Sequence, residues 1–229
     1  DDSYKIEDYT VPSFTQFLIA KETAKANPTD ANMEALSQRI AELKSYQYPY
    51  DVVVNINGDP TSRMAFAWYT NDRMTEGQLQ LTPIADITNL ATVFDTASEV
   101  ITVTATPTPT KKSRYAIGAS GIPAATGVPQ STKYKYTSHK AIAENLTPNT
   151  MYAYRVGVKG YWSEVAYFTT APLNVEEETE EFTYLYMTDT HIMNQKYVDV
   201  TRGAAIAASN VPDAKFCLFA GDLVETGTV

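Results

Sequence analysis

The sequence predicts a mainly β chain with an α/β segment at its C-terminal end. Three changes of periodicity carry that reading. Apolar residues recur at helical spacing over 1–50, alternate with polar ones from 51 to 170, and then form a strand–helix–strand pattern over 182–229. A sandwich needs the alternation, because each strand shows one face to the core and one to water.

The first 50 residues contain two helical patterns. Ser13-Phe14-Thr15-Gln16 fits a capping box, so the first helix is expected to start at Ser13. Phe14, Phe17, Leu18 and Ala24 supply its apolar stripe, and Asn27-Pro28 breaks it. Thr29 or Asp30 then caps a second helix, with Met33, Leu36, Ile40 and Leu43 on one side. The pair reads as a packing appendage of antiparallel helices.

From residue 51 the period is two. Val52, Val54 and Ile56 alternate with polar neighbours; Met64, Phe66 and Trp68 share a face; Leu79 and Leu81 alternate with Gln78, Gln80 and Thr82. Val100 to Ala105 is β-branched, Tyr134 and Tyr136 lie on one side, Tyr152, Tyr154, Val156 and Val158 alternate, and Trp162 to Phe168 closes the series. Short strands separated by Asn-Gly, Pro and Asp-rich turns imply an antiparallel sandwich. Between them, 106–132 reads as a long loose loop rich in Pro and Gly, in which Lys111, Lys112 and Arg114 offer positive charge. His139, beside Lys140, reads as a surface residue.

The stretch Leu146-Thr147-Pro148-Asn149-Thr150-Met151-Tyr152 resembles the fibronectin type III pattern, in which a leucine, a proline and a short turn precede a strand-opening tyrosine. The resemblance covers about 51–170. It implies that Tyr152 is a corner tyrosine with its hydroxyl tied to backbone, and that Trp68 is the core tryptophan. A sandwich by itself says little of activity.

Ala171 to Glu181 carries an acidic run and reads as a solvated linker. Beyond it, Phe182 to Met187 forms an apolar strand ending in Thr188-Asp189-Thr190-His191. Asp199 to Ser209 reads as a helix rich in alanine. Ala214 to Ala220 reads as a strand buried on both faces, with Cys217 as an inert buried thiol. It ends in Gly221-Asp222. The two strands are expected to be parallel, joined by a crossover helix. Ligand chemistry in such sheets gathers at the carboxyl ends of the strands. In an extended segment Asp189 and His191 point to one side, and Asp222 arrives from a strand about 5 Å away. Two carboxylates and an imidazole at one spot suit a divalent transition metal.

Thr188-Asp189-Thr190-His191 after one strand and Gly221-Asp222-Leu223-Val224-Glu225-Thr226-Gly227 after the next resemble the calcineurin-like metallophosphoesterases. With a fibronectin-like module upstream, the arrangement is similar to purple acid phosphatases and their bacterial relatives. The resemblance implies two metal ions, iron, zinc or manganese, about 3.5–4 Å apart around a bridging water. The resemblance implies that Asp189 and His191 would bind the first and that Asp222 would bridge both. It also implies a phosphate-ester substrate and a location outside the cytoplasm. Two positions depart from the purple pattern: Glu225 stands where a tyrosinate ligand is expected, and His191 where glycine is usual. A colourless site is therefore expected. The family's later ligands, Gly-Asn-His and Gly-His-x-His, have no counterpart, since the only histidines are His139 and His191. The catalytic domain is thus expected to be incomplete in this chain and inactive alone, and its open strand edges are expected to permit pairing with a second copy.

Charge and composition narrow the alternatives. With 18 basic and 27 acidic residues the net charge is −9, which disfavours nucleic acid and anionic membranes as partners. No stretch reaches the about 18 apolar residues of a membrane span. A nucleotide-binding α/β unit would need a glycine-rich loop that residues 188–191 lack. The remaining alternative is a noncatalytic binding or adhesion module built on the sandwich, with the aspartates serving as ordinary turn residues.

Overall fold

A computed structural model describes residues 3–111, 114–115, 133–173, 182–191, 195–211 and 214–222. The chain divides into two compact units, 1–116 with 131–174, and 117–130 with 175–229.

In the first unit, helix α1 (Val11–Ala26) precedes α2 (Asp30–Ala41). Phe14, Phe17, Leu18 and Ala24 are its buried residues, as the periodicity requires. The start differs from the capping-box expectation. The helix begins two residues before Ser13, with Thr10 at the cap position and Pro12 in the first turn, where no N–H is missed. Ser13 Oγ donates to the Thr10 carbonyl (3.1 Å) and accepts from Lys44 N (3.2 Å). It thus ties the helix entry to the segment leaving α2. Thr10 N to Lys44 O and Tyr46 N to Asp8 O complete that clasp. Thr29 caps α2 by accepting from Asn32 N.

Strands β1 (Tyr50–Ile56), β2 (Met64–Asn71) and β3 (Gln78–Pro83) follow. A short helix α3 (Val93–Thr96) leads to β4 (Ile101–Thr104), β5 (Thr106–Pro109), β6 (Arg114–Tyr115) and β7 (Lys133–Tyr134). β8 (Tyr136–Ala143), β9 (Met151–Val158), β10 (Tyr161–Trp162) and β11 (Ala166–Thr169) complete this unit. One antiparallel sheet has the order β1-β2-β8-β5 and the other β10-β9-β3-β4, with β11 also on β9. Their inner residues form one core: Met64, Phe66 and Trp68 from β2, Leu79 and Leu81 from β3, Ala141 and Ala143 from β8, and Tyr152, Tyr154 and Val156 from β9. Thr147 N donates to the Tyr152 hydroxyl at 3.0 Å, closing the corner before β9.

Two expectations change here. The start of the supposed loose loop is the strand β5, paired with β8. Pro107 and Pro109 fit because β5 is an edge strand, where one side of the backbone needs no donor. The rest of that loop, including Lys112, lies outside the described residues apart from 110, 111, 114 and 115. His139 is fully buried, not on the surface. It shares the inner face of β8 with Thr137, Ala141 and Ala143.

In the second unit β12 (Thr183–Met187) pairs in parallel with β13 (Ala214–Phe219), and α4 (Gln195–Ser209) lies between them in sequence. The helix begins four residues before Asp199. β13 is not buried on both faces: Phe216, Leu218 and Phe219 are exposed, and so is the thiol of Cys217. Among the described residues this sheet has only two strands, too few to cover either face. No described helix is long and apolar enough to cross a membrane. The acidic run at 174–181, Glu225 and Gly227 lie outside the described residues.

Candidate metal centre

Strand pairing does not stop where β12 and β13 end. Ala220 N donates to Met187 O (2.9 Å), Asp189 N to Gly221 O (3.1 Å) and His191 N to Asp222 O (2.9 Å). These bonds carry the register into both loops and hold Asp189, His191 and Asp222 side by side. Their potential ligand atoms all lie within 4.8 Å of one another. His191 Nε2 faces Asp189 Oδ1 at 3.5 Å and Asp222 Oδ2 at 4.0 Å. The Thr188 hydroxyl donates to Asp189 Oδ2 at 2.8 Å. One carboxylate oxygen is thereby held while the other faces the imidazole, the kind of orientation an outer hydrogen bond gives a metal ligand.

The residues converge for a different reason from the one the sequence suggested. The segment 189–191 is not extended. Asp189, His191 and Asp222 have φ of 55°, 41° and 51°, and they are half of the six non-glycine residues with positive φ among those described. Each such residue costs roughly 1–3 kcal/mol and persists only where its surroundings demand it. Gly221 has φ 116°, a conformation that a side chain would oppose. Left-handed residues, and not the alternation of an extended strand, accompany the meeting of the three side chains.

All three side chains are partly or largely exposed, and carboxylate and imidazole donors are the set that first-row transition metals accept. The donors thus fit a metal ion in type and separation. Sequence reasoning found these residues from their motifs. The left-handed backbone that gathers them has one sequence signal, since Asp, Asn and His adopt it more readily than other side chains.

Residues 49–170 match the family described as purple acid phosphatase, N-terminal domain. Among solved structures, the purple acid phosphatase PPD1 from yellow lupin (Lupinus luteus) seeds is similar at 13% identity and a TM-score of 0.48 over 78% of this chain. A computationally redesigned β-sandwich protein is similar at 16% identity and a TM-score of 0.30 over 56% of this chain and 98% of its own. Astrotactin-2, a vertebrate-specific perforin-like membrane protein, is similar at 13% identity and a TM-score of 0.32 over 57% of this chain and 23% of its own. No curated protein matches. The chain spans 30% of the lupin phosphatase.

Proposed function

This chain belongs to the purple acid phosphatase N-terminal domain family through residues 49–170, and on that premise we propose that it is the N-terminal part of a metal-dependent phosphoesterase. In this reading residues 182–222 open a calcineurin-like catalytic domain acting on phosphate esters outside the cytoplasm. The observation that supports it most is the meeting of Asp189, His191 and Asp222 within 4.8 Å on two strand ends.

Asp189 and His191 would hold one ion of iron, zinc or manganese, and Asp222 would reach toward a second. Such ions polarise a phosphoryl oxygen and lower the pKa of a bound water. Thr188, by donating to Asp189 Oδ2, would orient that carboxylate toward an ion. His191, with Nε2 at 3.5 Å from Asp189 Oδ1 and 4.0 Å from Asp222 Oδ2, would supply a nitrogen donor beside both carboxylates. Three donors are too few for two ions, so this chain alone is expected to bind metal with little turnover. The exposed Phe182, Tyr184, Tyr186 and Leu218 favour pairing of the second unit with another chain, a second copy included.

Calorimetric titration of the chain with zinc or manganese tests the reading. Saturable binding is expected, weakened at least about 10-fold by His191→Ala and by Asp222→Asn. Equal binding by wild type and both variants would remove the metal centre and leave the sandwich as a noncatalytic binding module.

A further inference from the structure

The core of the sandwich contains an imidazole. His139 has no exposed surface and stacks on Trp68, with ring centroids 5.4 Å apart and planes 10° from parallel. The two are register partners on β8 and β2. His139 Nε2 meets the Thr70 hydroxyl at 2.8 Å, and that hydroxyl donates to the Asn71 carbonyl at 3.2 Å. Nδ1 has no acceptor for a proton, whereas a proton on Nε2 meets the Thr70 hydroxyl oxygen. The neutral ring therefore carries its proton on Nε2, and Nδ1 holds a lone pair.

Nδ1 is buried without a hydrogen-bond partner. It faces Gly77: a β-carbon built there would lie 2.8 Å from Nδ1 and 3.0 Å from Trp68 Cζ2. Glycine is thus the residue that lets the run into β3 close over the stacked rings. Gly77 O in turn accepts from Ala105 N at 2.8 Å, which fixes that closure to the end of β4.

We propose that His139 is an acid-sensitive latch of the sandwich: neutral, it closes β2 and β8 against the Gly77 turn; protonated, it forces them apart. A second proton on the ring would sit on Nδ1, pointing at a glycine with no acceptor in reach. A buried N–H without a partner and a buried charge are both costly. The indole face of Trp68 attracts a cation but supplies no acceptor in the ring plane.

Among the described residues no charged group offsets the effect. From β2 the ring meets Trp68 and Thr70, from β5 its register partner is Pro107, and along β8 its inward neighbours are Thr137 and Ala141. Lys140 and Ser138 alternate to the other face of β8, and Tyr69 to the other face of β2. Burial alone lowers the His139 pKa to about 4, from the usual 6.5.

The sign follows from linkage. Above about pH 6.5 neither the folded nor the unfolded state is protonated at this residue, and its effect on stability is constant. As pH falls from 6.5 toward 4, the unfolded chain takes up a proton that the fold refuses, so stability drops. This group alone is expected to lower the folding equilibrium on the order of 100-fold between pH 7 and pH 4. The latch is independent of any metal at residues 189–222.

Proton NMR on the full chain tests it, because two histidines give two ring Cε1–H resonances. The His139 signal, identified as the one that remains in His191→Asn, is expected to stay unshifted from pH 7 to pH 5 while the thermal midpoint falls. His139→Phe keeps the ring stack and is expected to lose most of that pH dependence. A His139 resonance titrating near pH 6.5 in an intact fold would overturn the latch, whether or not His139→Phe folds. So would a folded His139→Phe variant with the full wild-type pH dependence.

Discussion

The two units handle apolar strands in opposite ways. In the sandwich, Phe66, Trp68, Leu79 and Leu81 each show 1% or less of their surface. In the second unit, Phe182, Tyr184, Tyr186 and Leu218 show between 49% and 61%. The sandwich has two sheets that bury each other's inner faces, which is the minimum a core requires. The β12–β13 ladder is one parallel pair, and parallel sheets ordinarily need cover on both faces. Stability and candidate chemistry therefore reside on different parts of the chain. The sandwich supplies a closed core, and the second unit displays strained loops on a lightly supported frame. Binding and catalytic elements are commonly drawn from such low-stability regions.

Trp68→Ala should break the contrast most severely. Removing a fully buried indole leaves a large cavity at the centre of the core and strips the stacking partner from His139. A loss of about 3–5 kcal/mol is expected in urea unfolding of the chain. A loss under 1 kcal/mol would mean that this core does not govern the unfolding transition. Tyr152→Phe acts on the same unit through a single hydrogen bond, the one its hydroxyl accepts from Thr147 N. Its expected cost is smaller, about 0.5–1.5 kcal/mol. An unchanged midpoint would show that the corner is held instead by the neighbouring Thr170 hydroxyl, which donates to Thr147 O at 2.7 Å.

The sandwich was largely legible in the sequence because its strands are half-buried, and half-burial writes itself as alternation. Phe66 and Trp68 on β2, and Leu79 and Leu81 on β3, announce which way they face. His139 departs from the surface expectation because its position, and not its residue type, decides its burial. Thr137, His139, Ala141 and Ala143 repeat at the strand period, which places the histidine inside with the others. β5 is not legible as a strand because proline argues against one, except at an edge, and edges are set by tertiary pairing. In the second unit the motif residues were legible by type and order, but the route to their meeting was not. Asp189 and His191 converge through left-handed turns that no alternation encodes. Burial of β13 failed as an expectation because an apolar run records what a strand can tolerate on its faces, and Cys217 and Leu218 are exposed here.

The smallest effect sharpens the comparison from the other side. Tyr186 lies within β12, one residue before its end, and 61% of its surface is exposed. Tyr186→Ser removes an aromatic ring from a strand as Trp68→Ala does, and on strand propensity alone it should matter. Because little of the ring is withdrawn from water, the expected change in the main unfolding transition is within about 0.5 kcal/mol. Denaturant titration of both variants on one chain background measures the two directly. A cost for Tyr186→Ser approaching that for Trp68→Ala would mean that the second unit is buried in solution, by another copy or by more of the protein. The low value would show that packing, and not the aromatic strand itself, is what the sandwich has and the β12–β13 unit lacks.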